Sequence, residues 1–252
     1  MSRQASITWL HPGEDFPPVE SAWGPRDPVA GLLAAGGDLS VPTLLKAYDQ
    51  GIFPWFGNDQ PILWWSPDPR MVLRVCDFRL HPSLRKTLRA GLTSGRLQVR
   101  IDSAFEQVIR ACAHTPRPGQ DGTWIVPAMV QAYTALHQAG QAHSVETWWD
   151  GELVGGLYCV NLGCMVFGES MFSHRTDASK IALAGLVAFC RASQIEAIDC
   201  QQNTAHLSSL GAREQARHDF LTLVRHGTAR AAPEWKFDPI YWNALLKPTH
   251  AT

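Results

Sequence analysis

Three polar side chains stand where the sequence around them is apolar. Glu169 lies inside Cys164-Met-Val-Phe-Gly-Glu-Ser-Met-Phe-Ser173, and Asp199 and Gln201 close the apolar run that begins at Ile195. A carboxylate among apolar neighbours must be paired, hydrogen-bonded or raised in pKa. Strand alternation places Met165, Phe167 and Glu169 on one face, and puts Asp199 and Gln201 together on one face of a second strand. Two carboxylates and a carboxamide can orient a nucleophile, hold a polar substrate end or move a proton. A lone Glu would more often serve nearby backbone donors, but the second polar set favours chemistry. Cys200 between them offers a thiol, although alternation turns it away from Asp199 and Gln201, and a small core thiol is its better reading.

The elements that would carry these residues can be read from turn and cap signals. Ser40 caps a helix over about Val41 to Gln50, with Pro42 in its first turn and Gly51 as its stop. Trp64-Trp-Ser-Pro-Asp-Pro-Arg70 cannot be helical, so its aromatics and those of Gly51-Ile-Phe-Pro-Trp55 sit on stiff extended chain. A helix from about Pro82 to Ala90 follows, then a strand over Gln98 to Ile101, and Ser103-x-x-Glu106 reads as a capping box for the next helix. Pro127 opens a helix to about Ala139. From His143 the period changes to 2, giving a three-stranded antiparallel meander over 143–149, 152–160 and 164–170. Gly155-Gly156 marks a bulge or a close backbone approach. A helix over Lys180 to Ala192, capped by Asp177 or Ser179, is apolar almost all round and so must be buried. After it come a strand over Ile195 to Cys200, a short helix over Thr204 to Leu210 and an amphipathic helix over Glu214 to Val224. The tail from Ala231 reads as a surface segment.

At 252 residues and 45% apolar composition the chain can bury a full core. The first residues lack the apolar run of a leader, and the longest apolar stretch is about half a membrane span, so no membrane role and a cytoplasmic setting are expected. Six cysteines in mostly apolar contexts, none in a Cys/His metal spacing, favour reduced thiols and no metal. Net charge is −1, yet Arg70 to Arg100 carries eight Lys/Arg against one acid, Asp77. That local excess suits phosphates if it forms one face, although most charge runs are merely solvated. Several of the ten tryptophans (Trp55, Trp64, Trp65, Trp124, Trp148, Trp149) fall outside obvious core patterns and could stack on bases.

Taken together, Gly36-Gly-Asp-Leu-Ser40, Gly51-Ile-Phe-Pro-Trp55, Trp64-Trp-Ser-Pro-Asp-Pro-Arg70, Thr123-Trp-Ile125, Ala142-His-Ser-Val-Glu146, Leu153-Val-Gly-Gly-Leu-Tyr158, Gly168-Glu-Ser-Met-Phe-Ser173, Asp177-Ala-Ser-Lys180, Asp199-Cys-Gln201 and His206-Leu-Ser-Ser-Leu-Gly-Ala212 resemble the leucyl/phenylalanyl-tRNA–protein transferase family. The resemblance runs from about Gly31 to Val224. The order strand, strand, strand, helix, strand, helix from His143 onward resembles the core of the Gcn5-type N-acyltransferase fold, so with the family resemblance it points to an α+β protein with a Gcn5-type N-acyltransferase-like C-terminal domain, an antiparallel sheet with a buried helix, over residues 63–252, and a smaller mixed N-terminal domain over 1–62. The family resemblance further implies transfer of Leu or Phe, less readily Met, from aminoacyl-tRNA to proteins with N-terminal Lys or Arg, which marks them for N-end rule degradation, with no cofactor. Carried over residue by residue, Asp199 and Gln201 would act at the amine and ester, and Glu169 would hold the aminoacyl-adenosine end. Trp55 and Trp124 would flank that end, Met171, Leu183 and Ile198 would line the side-chain pocket with Ser173 nearby, and Arg79, Arg85, Lys86 and Arg89 would meet tRNA phosphates. Either Asp199 or Gln201 could align the amine. The rivals are an acetyl-CoA-dependent acetyltransferase, disfavoured because His174-Arg-Thr-Asp-Ala-Ser179 contains no glycine, and a non-catalytic RNA-binding module, which would leave Glu169, Asp199 and Gln201 without a task.

Overall fold

The structure, a computed structural model, describes residues 6–115 and 125–246. Near the start, β1 (Thr8–Leu10) lies parallel to β2 (Leu32–Gly36), and α1 (Val41–Asp49) follows with Ser40 Oγ accepting from Thr43 N as its cap. β3 (Phe53–Pro54) and β4 (Leu63–Trp65) complete a four-stranded sheet in the order β1-β2-β4-β3. Trp64 and Trp65 are buried here, and their indole nitrogens donate to the carbonyls of Gly36 and Trp55. Both are core residues, not base-stacking surfaces.

The second sheet takes β5 (Arg70–Arg74) and β6 (Leu97–Ile101), with α2 (Pro82–Thr93) between them. After α3 (Phe105–His114) and α4 (Pro127–Gln138), β7 (Ala142–Trp149), β8 (Glu152–Leu162) and β9 (Met165–Ser173) form the expected antiparallel meander. α5 (Ala178–Ala192) crosses over to β10 (Ala197–Gln201), which lies parallel to β9, and α6 (Ala205–Ser209) follows, so strand, strand, strand, helix, strand, helix is the observed order. β11 (Arg213–Gln215), α7 (Arg217–Thr228) and α8 (Asn243–Leu246) complete the chain, and the large sheet reads β11-β5-β10-β9-β8-β7-β6. The architecture is α+β. One face of this sheet packs against α3, α4 and residues of the small sheet, and the other against α2 and α5.

α5 is the helix whose all-round apolar sequence demands burial, and Ile181 through Cys190 are buried without exception. Each fully buried large aliphatic or aromatic side chain stabilises by about 1.5–3 kcal/mol, so α5 anchors that layer. Gly155 lets it seat, because a Cβ there would stand 2.5 Å from the Cβ of Ala178.

Several expectations are corrected. Ser103 and Glu106 make no capping box, since Ser103 Oγ and the Ala104 amide both turn to the Glu146 carboxylate and Glu106 pairs with Arg110. Asp177 sits at the start of α5 without capping it and holds Lys180 Nζ at 2.8 Å instead. Residues 213–215 pair with β5 as a strand, so the last long helix begins at Arg217 and not at Glu214. The tail runs mostly exposed over the surface, as expected, but it is anchored at single side chains. Trp235 stacks on His143 with ring centroids 4.0 Å apart and donates to Asn161 Oδ1, while Trp242 and Leu245 are buried against the α5 layer. Pro233, Trp235 and Phe237 are half-buried between exposed Glu234, Lys236 and Asp238, so the anchoring side of this stretch alternates.

Candidate active site

The two strands that carry the polar residues pair only briefly. β9 and β10 match at Val166 with Ile198 and at Phe167 with Asp199. Immediately beyond, each breaks its register with its other neighbour. Against β8, Gly168 and Ser170 face successive residues, Cys159 and Tyr158, so Glu169 is the extra residue. Against β5, Asp199 and Gln201 face Val72 and Met71, so Cys200 is extra. A bulge re-aims side chains and parts the strands locally. Between the parted ends lies a cavity of about 290 Å³.

The cavity is mostly apolar, with Leu157, Met171, Leu183, Leu186, Ile198 and Leu207 among its walls, Trp55 at one side, and Glu169 and Gln201 opening onto it. Glu169 draws three donors from distant parts of the chain. Tyr48 Oη of α1 donates to Oε1 at 2.7 Å, Gln201 Nε2 to the same oxygen at 2.9 Å, and Tyr133 Oη of α4 to Oε2 at 3.2 Å. The two phenol oxygens also lie within hydrogen-bond distance of each other, so their two O–H hydrogens are shared among these three contacts. Burial lifts the Glu169 carboxyl to about 7. The Tyr48 hydrogen bond opposes the rise, the Asp199 charge adds to it, and Gln201 and Tyr133 pull it back. Burial, and next the Glu169 charge, hold both phenols well above their ordinary range, so they remain donors at neutral pH.

Asp199 is bound differently. Arg70 Nε donates to its Oδ1 at 2.8 Å and Nη2 to its Oδ2 at 2.6 Å, and both side chains are shut off from solvent. The Gln201 amide also donates to Oδ1, at 2.9 Å. Arg70 therefore does not belong to the basic face that its place in the sequence suggested. Cys200, expected to point away, lines the cavity because the bulge turns it there, but burial and the Asp199 charge push its thiol up to about 12. It stays protonated, which removes its nucleophilic form at neutral pH.

The structure thus gathers Glu169, Asp199, Gln201, Trp55, Met171, Leu183 and Ile198 at one cavity, Asp199 with its side chain shut off from solvent. Ser173 is elsewhere, donating to the Arg175 carbonyl and accepting from Ser179 N. Trp124 lies outside the described residues. On α2, Lys86 and Arg89 are exposed and Arg85 is half-buried, with Arg85 and Arg89 each giving one N–H to a carbonyl of Leu245 or Leu246, and Arg79 is exposed just before the helix. Sequence reasoning missed Tyr48, Tyr133 and Arg70 as site residues. The signals were present, since an inward tyrosine needs a partner for its hydroxyl, and an arginine that opens the buried run Met71-Val-Leu73 needs a buried anion.

Among the described residues no group of three or more His, Cys, Asp or Glu could hold a metal ion, and no helix is long and apolar enough to cross a membrane. The family model for leucyl/phenylalanyl-tRNA protein transferase matches residues 72–225, and that for its N-terminal domain matches 37–68. A leucyl/phenylalanyl-tRNA–protein transferase of Polaromonas sp. (strain JS666) is 63% identical over 246 residues, 96% of each chain, and that of Albidiferax ferrireducens is 58% identical over 98% of this chain and 97% of its own. Among solved structures, L-PGS from Bacillus licheniformis is similar over 68% of this chain and 53% of its own, at 9% identity and a TM-score of 0.36, which is too slight a likeness to argue from.

Proposed function

The chain belongs to the leucyl/phenylalanyl-tRNA–protein transferase family and is an aminoacyltransferase, and from that premise we propose how its cavity serves the reaction. Leu or Phe, and less readily Met, moves from aminoacyl-tRNA to the α-amino group of proteins that begin with Lys or Arg, marking them for N-end rule degradation in the cytoplasm. The observation that carries this reading is the aliphatic cavity opening directly beside the Glu169–Gln201 pair. An apolar pocket takes the transferred side chain, while polar groups at its rim hold the ester. A pocket that measures only size separates neighbours by about 1–3 kcal/mol per methylene.

The ester is already activated, so the protein has to orient the amine and stabilise the oxyanion. The amine attacks the ester carbonyl, the C–N bond forms, the C–O bond to the ribose breaks, and the amine proton passes to the departing ribose oxygen. Gln201 gives its Nε2 hydrogen to Glu169, which leaves its carboxamide oxygen as acceptor for the incoming N–H. Glu169, ionised, accepts hydrogens of the aminoacyl-adenosine end, with Trp55 and Trp124 flanking that end. Met171, Leu183 and Ile198 contact the transferred side chain, and Ser173 has only a supporting place behind them. Asp199 works through Gln201, because Arg70 and the Gln201 amide occupy its oxygens. Arg79, Arg85, Lys86 and Arg89 meet tRNA phosphates in a weakly sequence-specific, salt-sensitive way, and the donors Arg85 and Arg89 give to carbonyls leave the rest of each guanidinium for that role. The division into a small N-terminal domain over 1–62 and an acyltransferase-like domain over 63–252 is kept as part of this proposal, with β4 reaching back across it to pair with β2 and β3.

Purified protein incubated with labelled Leu-, Phe- and Val-tRNA and with peptides starting in Arg or Ala tests the reading. Leu and Phe should pass to the Arg peptide alone. Equal transfer of Val, or transfer to the Ala peptide, would reject the proposed selectivity.

A further inference from the structure

Gln201 has a φ of +60°, a left-handed conformation that a side-chain-bearing residue keeps only when its surroundings impose it. What imposes it is the Asp199 carboxylate, whose Oδ1 accepts the Gln201 amide and thereby fixes where the carboxamide points. That carboxylate is itself immobile. The Arg70 fork binds both its oxygens, Arg70 Nη1 donates to the Gly51 carbonyl at 3.2 Å, and the guanidinium carbon stands 4.6 Å from the ring centroids of both Phe53 and Phe220. Arg70 is thus pinned by the turn after α1 through Gly51, by the small sheet through Phe53 and by α7 through Phe220. A planar, bidentate, doubly stacked guanidinium is a contact that Lys cannot reproduce.

We propose that Arg70 is a positioning residue of the transfer reaction: its fork on Asp199 sets the Gln201 backbone and so aims the Gln201 carboxamide at Glu169 and the acceptor amine. This rests on the reading of Glu169 and Gln201 as the transfer site. Arg70 touches no substrate. It gives Asp199 a task that needs no access to the cavity, and it couples the small sheet to the geometry of the reacting groups. The consequence is that Asp199 is a positioning residue too, and no proton of the reaction passes through it.

The test is Arg70→Lys in the full-length protein, read by kinetics and by the side-chain amide resonance of Gln201 in a 15N-labelled sample. Misplacement on the ångström scale costs about a hundredfold in rate, so kcat should fall by about that factor while KM for Leu-tRNA stays within about twofold. The Gln201 amide resonance should shift in the folded variant. Arg70→Ala should recover rate in a saturable way with millimolar guanidinium ion and not with ammonium. A folded Arg70→Lys with wild-type kcat, or with an unmoved Gln201 resonance, would overturn the proposal. If both Arg70 variants fail to fold, Asp199→Asn decides. It keeps an acceptor for the Gln201 amide but breaks the Arg70 fork, so kcat should fall by about a hundredfold with KM held, whereas a folded Asp199→Asn with wild-type kcat, or one losing more than about 10³-fold, would overturn the proposal, the second by making Asp199 the base. Wild-type protein that transfers nothing would sink the reading of the reaction, and the Gln201 resonance would still report on Arg70.

Discussion

Two glutamates lie in the large sheet within reach of hydroxyls, an indole and amides, and they serve different ends. Glu146 on β7 is fully buried and satisfied by its own neighbourhood. Ser144 Oγ and Trp148 Nε1, two residues to either side on the same face, donate to it, and Ser103 Oγ and the Ala104 amide donate across the sheet edge. Glu169 on β9 has Phe167 and Met171 at the corresponding positions, and neither can donate. Its donors come from residues 121, 36 and 32 positions away, and its carboxylate faces a cavity. A buried carboxylate whose own strand supplies its donors is a structural clasp. One that must recruit phenols and a carboxamide from other elements, and still keeps an open side, is the one proposed above to meet the substrate.

The contrast is most sharply broken at Glu169. Glu169→Gln should lower kcat by about 10²–10³-fold with the protein still folded, as befits a group in the reacting machinery. It should also alter how stability depends on pH. The folded protein holds the Glu169 proton up to about 7, whereas the ordinary carboxyl loses it near 4.5. The raised value therefore favours folding at low pH, and that advantage is lost as pH climbs from about 4.5 to about 7, by about 3 kcal/mol at 1.36 kcal/mol per pKa unit. Urea melts of wild type and Glu169→Gln across that window should diverge by this amount, and parallel curves would deny the raised pKa. Glu146→Leu should show the opposite profile. Stranding Ser103, Ser144, Trp148 and the Ala104 amide should cost about 3 kcal/mol of stability, with kcat unchanged while the protein is folded. A specific loss of kcat would erase the distinction.

Smaller effects sharpen the comparison further. Tyr48→Phe removes a donor that favours the Glu169 anion, so the rise of kcat with pH should move to higher pH, and kcat at pH 7 should drop by about threefold to tenfold. A profile that stays in place would show that the phenol does not tune the carboxylate. Lys86→Ala touches neither glutamate. It should raise KM for aminoacyl-tRNA by about threefold at low salt, less at high salt, and leave a minimal aminoacyl-adenosine donor unaffected. Equal losses on both donors would reject the phosphate role of α2.

Much of this was legible in the chain. The meander followed by an all-apolar helix and a further strand dictated a sheet with a buried helix, because α5 has no polar side to give to water. Glu169, Asp199 and Gln201 could be singled out because polar groups in apolar strands must find partners. Which partners they find was not legible. Perfect alternation would have put Asp199 and Gln201 side by side as one pair at the substrate, and the bulges at Glu169 and Cys200 divided them into an open Glu169–Gln201 pair and a sealed Asp199–Arg70 pair. Arg70 looked like part of a basic face because charge counting along a chain cannot see that one residue of the run begins a buried strand.

The sequence by itself determined the meander, the buried helix and the strand that follows it, and the identity of the polar residues that had to be accommodated, since these follow from periodicity and from the cost of burying charge. Only the tertiary structure decided what each polar residue does. Tyr48, Tyr133, Arg70 and Gln201 converge on the two carboxylates from separate elements, and pairing across 32 to 129 residues is set by how layers pack, which no local pattern records.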